Sequence, residues 1–199
     1  MKFRGLSTLT LLGLAACATP YDPLEDYTHV DAATNLDAPE AEPGTYAPEN
    51  RDQVKHGEYL VELLGCGACH TDGALGGDPD TERPLAGSRT GIAYTNPLEH
   101  RFPGVVYPSN ITPDEETGIG GLSDVQIAQA IRAGVGSHAG RRITVMPWQG
   151  YARMSEADIN AIVSYLRSIK PIRNKVPAAV PPGTRAQYPY VHFGVYQSR

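Results

Sequence analysis

The chain has 199 residues, 41% of them apolar and 20% charged, with a formal net charge of −5. Those values suit a soluble globular chain with one folded domain and appendages rather than two domains. Three cysteines, Cys17, Cys66 and Cys69, are too few for a disulfide-stapled scaffold, and no basic cluster interleaved with aromatics points to nucleic acid.

The N-terminus, MKFRGLSTLTLLGLAAC, has a short basic start (Lys2, Arg4) and an apolar run from Leu6 to Ala16. That run is too short for a permanent membrane helix and reads as a secretory signal over residues 1–16. Small residues before Cys17 resemble the bacterial lipoprotein box, in which the cysteine is lipidated and starts the mature chain. An ordinary cut near Ala18 would discard Cys17 instead. From Ala18 to Asn50 there are eight acids and no Lys or Arg among many Pro and Ala residues. Such a segment cannot offset its ordering entropy by burial, so residues 17–50 read as a lipidated cysteine and a disordered acidic tether. As a flexible coil it would span roughly 30 Å.

The folded domain is expected over residues 51–172. A first helix is predicted over 52–64, with Val54, Gly57, Val61 and Leu64 on one face. Directly after it comes GCGACHTDG, which holds Cys66, Cys69 and His70. A structural zinc needs four ligands, and there is no second C-x-x-C and no H-x₃₋₅-H. A thioredoxin-like dithiol would need alternating strands and helices. C-x-x-C-H is the attachment signature of a c-type haem, with two thioether sulfurs and an imidazole for the iron. About 55 residues rich in Gly, Pro and Asp then intervene before the next helix. A loop of that length is expected only if something other than protein fills the core, as a haem would.

The second predicted helix starts at Ser123, with Gln126 completing a capping box, Ile127 and Ile131 on one face and Gly134 as terminator. The third starts at Ser155, with Asp158 in its first turn. It carries an apolar stripe of Ile159, Ile162, Val163 and Leu166 and stops at Pro171. Between these two helices lie the candidates for the sixth iron ligand. Met146 sits in RRITVMPWQG, where Pro147 stiffens the loop. His138, in GVGSHAG, is the alternative and would give a bis-histidine haem. Met154 stands where a hydrophobic staple to the third helix belongs. A Met/His pair raises the reduction potential, which suits an electron acceptor. Residues 173–199 form a Pro/Tyr-rich C-terminal extension, expected to wrap the domain or to dock a partner. Residues 51–131 carry 5 basic and 12 acidic residues, and residues 132–199 carry 10 and 2, so the folded part is dipolar along its sequence.

GEYLVELLGCGACHTDG, PLAGS, NITPDEETGIGGLSD, IAQAIRAGVG and VMPWQGYARMSEADINAIVSYLRSIKP together resemble the class I cytochrome c family. More narrowly, they are similar to cytochrome c subunits of bacterial periplasmic dehydrogenases of the alcohol dehydrogenase type. The resemblance covers roughly residues 55–172. It implies an all-α fold of three or more helices, with long loops wrapped around one covalent haem. It also implies Gly57 against Tyr165 between the first and last helices, and Met146 as the axial ligand. Relatives usually have Trp where Leu122 stands and Pro where Ser109 stands, and often carry three haems where this chain has one motif.

The implied function is that of a periplasmic, membrane-tethered monohaem carrier, not an enzyme. It would pass electrons from a dehydrogenase to a cytochrome or oxidase. An open sixth position would instead suit a peroxidase-like enzyme or a sensor, with His138 and Arg141 or Arg142 as acid–base groups. A structural haem subunit that anchors a dehydrogenase is a third expectation.

Overall fold

The computed structural model describes residues 27–29, 50–99, 101–134 and 145–198. Cys17, His138, Arg141 and Arg142 lie outside the described residues, as do the signal and most of the acidic leader.

Two crossing helices form the centre of the molecule: α1 (Asn50–Leu63) and α5 (Glu156–Ser168). They meet at Gly57, where an added Cβ would lie 2.8 Å from Cβ of Tyr165 and collide with the Ala161 carbonyl. A side chain at this position would force the two backbones apart. Between α1 and α5, α2 (Cys66–His70) follows α1 almost without a break, α3 (Asp124–Ala133) lies across the core, and α4 (Trp148–Tyr151) forms a single turn.

The helix ends follow their sequence signals. Ser123 accepts from the Gln126 amide while the Gln126 side chain accepts from the Ser123 amide, and Gly134 ends α3 in the left-handed region at φ 59°. Ser155 accepts from the Asp158 amide at 3.1 Å to start α5. The stripe Ile159, Ile162, Val163 and Leu166 is buried with Val61, Leu85, Ile119 and Ile127, and Met154 packs on the same cluster. Each such side chain contributes about 1.5–3 kcal/mol by leaving water, an upper estimate because unfolded chains are partly compact. Arg167 on α5 anchors the loop ahead of α3. It donates to the carbonyls of Ile119 (3.2 Å), Gly120 (3.1 Å) and Leu122 and to the Asp124 carboxylate (3.0 Å).

Short strands accompany the helices, so the molecule is not purely helical. β2 (Gly91–Ala93) pairs antiparallel with β3 (Val105–Val106) and parallel with β4 (Tyr190–His192), in the order β3-β2-β4. The register places Ile92 opposite both Val106 and Val191. β1 (Tyr27–His29) pairs antiparallel with β5 (Tyr196–Ser198), placing Thr28 opposite Gln197. Residues 27–29, expected within a disordered tether, therefore pair with the C-terminal end of the chain. A second cluster forms around Ala93, Val105 and Tyr107, with Val176, Val180 and Ala186 of the C-terminal extension packed against it. Part of the long Gly/Pro-rich connection is thus filled by protein, from the far end of the chain.

Candidate functional site

The site begins where α1 stops. Gly65 takes φ 67°, a left-handed conformation that costs a side-chain-bearing residue more than glycine. Its amide reaches back to Glu62 and its carbonyl accepts from Ala68, so one residue closes α1 and opens α2. That corner presents Cys66, Cys69 and His70 on five residues of helix. Both thiols are free and half-buried, and Cys66 itself packs against the main apolar cluster. Burial pushes the Cys66 thiol up to about 11 and raises that of Cys69 as well. A redox dithiol needs the opposite shift, towards thiolate.

His70 is oriented by one bond. Its Nδ1 lies 2.7 Å from the Ser109 carbonyl oxygen, which can only accept. Nδ1 is therefore the protonated nitrogen, and the Nε2 lone pair is left for a metal. Burial lowers the His70 pKa, which favours the neutral imidazole that a metal requires. The His70 carbonyl accepts from Gly87 at 2.8 Å, and Thr71 Oγ1 accepts from Leu85 at 3.0 Å. Asp72 shapes the following loop by accepting from the Arg89 amide at 2.8 Å and from the Ser88 hydroxyl at 3.2 Å.

Met146 is half-buried in the turn that enters α4, and its carbonyl accepts from the Trp148 amide at 2.8 Å. Trp148 and Tyr151 are buried beyond it. The Trp148 ring lies against Gly134, where an added Cβ would come within 2.6 Å of its Cδ1. The Tyr151 hydroxyl points to the Leu64 carbonyl at 3.5 Å, beside the corner that carries Cys66. The Met146 turn and the cysteine corner are thus tied to one another, while His138 lies outside the described residues.

These residues fit a c-type haem. Two unpaired thiols stand on one short helix, the adjacent imidazole has Nε2 available, and half-buried Leu64, Ile111, Ala128 and Ile131 pack on the same apolar cluster as Cys66. Among the described residues no group of three or more His, Cys, Asp or Glu side chains could hold a bare metal ion. Sequence reasoning missed the Ser109 carbonyl, since any residue type carries one, and missed Tyr151, whose role depends on a distant partner.

Known proteins are similar to this chain in sequence. A family model described as Cytochrome c matches residues 54–170. The fructose dehydrogenase cytochrome subunit of Gluconobacter japonicus is 31% identical over 160 residues, covering 80% of this chain and 29% of that protein. The alcohol dehydrogenase (quinone) cytochrome c subunit of Gluconobacter oxydans (strain 621H) is 35% identical over 128 residues, 62% of this chain and 23% of that protein. The gluconate 2-dehydrogenase cytochrome c subunit of Pantoea cypripedii is 35% identical over 120 residues, 60% of this chain and 24% of that protein. The chain spans less than a third of the length of these relatives. Because the matched span takes in the Cys66–His70 corner, both capped helices and the Met146 turn, the chain belongs to the cytochrome c family, whose domain implies a covalently bound haem c.

Proposed function

We propose that this chain is a single-haem electron carrier that takes electrons from a periplasmic dehydrogenase and passes them to a respiratory acceptor. In this reading Cys66 and Cys69 would hold the haem by thioether bonds, His70 Nε2 and Met146 Sδ would ligate its iron, and a lipid on Cys17 would tether the domain to a membrane. The observation that carries it is the His70 imidazole, locked by Ser109 with Nε2 available beside two free thiols. When bound, the haem supplies a one-electron ferric/ferrous couple, and no substrate bond is made or broken. The residues around it would exclude water, with Trp148 and Tyr151 buried next to Met146 in the chain. Ligation by a thioether together with an imidazole would raise the potential, which favours accepting electrons. The dehydrogenase donor is inferred from the names of the relatives. Residues 1–16 would act as the export signal, and residues 17–50, apart from the β1 strand and Asn50 at the start of α1, as the acidic tether.

Met146→Ala tests the ligand assignment. The variant is expected to lose the long-wavelength ferric band of thioether ligation and to gain carbon monoxide binding in the ferrous state. Rapid carbon monoxide binding by the unaltered ferrous protein would overturn six-coordination and favour an open-site enzyme. Mass spectrometry of the mature N-terminus tests the anchor, and an unmodified chain starting at Ala18 would refute it.

A further inference from the structure

We propose that Asn110 is a positioning residue for the axial histidine, holding the Ser109 carbonyl that orients His70 and so setting the electron-donating strength of the imidazole. The inference deepens the carrier reading above and rests on its assignment of His70 as an iron ligand.

The peptide between Ser109 and Asn110 is held by close packing and, through Asn110, by a buried side-chain network. Gly87, at φ 86°, packs against it, and an added Cβ there would fall 2.7 Å from the Asn110 nitrogen and 2.9 Å from the Ser109 carbonyl carbon. Gly87 also donates its amide to the His70 carbonyl at 2.8 Å, so it touches both the histidine and the peptide that orients it. Asn110 itself is buried, 2% exposed, and its side chain anchors it elsewhere in the fold.

A primary amide has two donor hydrogens and two acceptor lone pairs. All four are used here. Oδ1 accepts from the Thr112 amide at 2.9 Å and from its hydroxyl at 2.7 Å. Nδ2 donates to the Ile172 carbonyl at 2.7 Å and to Thr117 Oγ1 at 3.1 Å. The partners belong to the segment leaving α5 as well as to the loop itself. Ile172 donates its amide to Thr112 Oγ1 at 3.1 Å, and Asn174 donates its amide to Thr117 Oγ1 at 2.9 Å. The Asn174 side chain then donates to the Ala86 carbonyl at 2.7 Å, immediately before Gly87. Hydrogen bonds and short stretches of backbone together close a ring, from His70 through Ser109, Asn110, Ile172, Asn174, Ala86 and Gly87 back to His70.

A buried asparagine of this kind could serve only to brace a loop. Two features argue for more. The peptide it fixes is the one whose oxygen accepts from His70 Nδ1, and the ring of contacts includes the His70 backbone. Groups that hydrogen-bond the far nitrogen of a metal-bound histidine raise its basicity and fix its orientation. A slack acceptor would leave the imidazole a poorer donor, which disfavours the ferric state and raises the potential.

The experiment uses the full haem-loaded chain and compares Asn110→Ala, the near-isosteric Thr112→Val and Ser123→Ala. The Ser123 variant weakens α3 at its cap without touching this network. Midpoint potential, low-temperature ferric electron paramagnetic resonance and thermal midpoint are read for each. A positive potential shift is expected in Asn110→Ala, corresponding to up to about a tenfold loss of ferric preference, or ~59 mV for one electron. A smaller shift of the same sign is expected in Thr112→Val, with altered g-values in both and no potential shift in Ser123→Ala. If Asn110→Ala does not fold, Thr112→Val alone decides. Unchanged potential and g-values in variants that only melt earlier would reduce Asn110 to a brace and overturn the proposal. Loss of histidine ligation in the unaltered protein would instead overturn the His70 assignment beneath it.

Discussion

Replacing Gly57 with alanine sets two effects of opposite sign against each other. In an isolated helix the change stabilises, because glycine is about 1 kcal/mol worse than alanine in a helix interior. Here the new methyl would meet the Ala161 carbonyl and Cβ of Tyr165, the latter at 2.8 Å. The carbonyl is backbone, so no rotamer change relieves the collision and α1 must move away from α5. Overpacking of this kind costs about 1–3 kcal/mol, and contact with backbone places it at the upper end. The net effect is a loss of about 1–2 kcal/mol, or a fall in thermal midpoint of roughly 4–10 °C for a domain of this size. Far-UV circular dichroism of the ferric protein during heating measures it. Gly150 on α4 is the control, since an added Cβ there meets nothing within 4 Å. Gly150→Ala is expected to be neutral or slightly stabilising. An unchanged or raised midpoint in Gly57→Ala would refute the backbone-to-backbone crossing.

Ser123→Ala removes the side-chain half of the α3 capping box, which costs about 1 kcal/mol and lowers the thermal midpoint by a few degrees. A midpoint identical to the unaltered protein would show that the cap does not limit stability. Asp158 is held below the ordinary carboxylate range chiefly by its hydrogen bond from His56 at 2.8 Å, with the Ser155 hydroxyl adding to it. A depressed folded value means that the stabilisation is complete above the unfolded carboxylate pKa of about 3.9 and is lost as pH falls through the folded value. The Asp158 side chain is 36% exposed, so screening keeps the effect small. Asp158→Asn is expected to flatten the acid limb of the midpoint-against-pH curve below about pH 4 while shifting the neutral plateau little. An acid limb as steep as before would assign that limb to other carboxylates.

What was legible in the sequence is what depends on neighbours along the chain. Ser123 with Gln126, Ser155 with Asp158 and the Ile159 to Leu166 stripe are local patterns, and α3 and α5 form where those patterns place them. The Cys66–His70 turn is equally local. The short strands were not legible, because two or three residues cannot show a period, and β2 meets β4 from about a hundred residues away. The long connection pointed to a filler other than protein, yet Val176, Val180 and Ala186 of the extension cover one part of it. Nothing in NITPD marks Asn110 as a neighbour of His70, since that proximity depends on Gly87 and Ile172, which are distant in sequence.

The pairing of β1 with β5 changes what the acidic leader can do. Tyr27–His29 is fastened to the domain, so only residues 18–26 separate Cys17 from the fastening. Fully extended, that stretch reaches about 30 Å. On the lipid-anchored reading this is a limit, whereas a free coil running to residue 50 would have had it as an average. Deleting residues 196–199 should release the strand and lengthen the leash. Unaltered electron-transfer rates to a co-reconstituted membrane partner after that deletion would show that the leash has no such effect. On that reading a short leash would confine the domain to a thin layer above the lipid, close to any membrane-held partner. Encounter would then become a search within that layer, set by how many copies share the membrane surface rather than by the volume of the compartment.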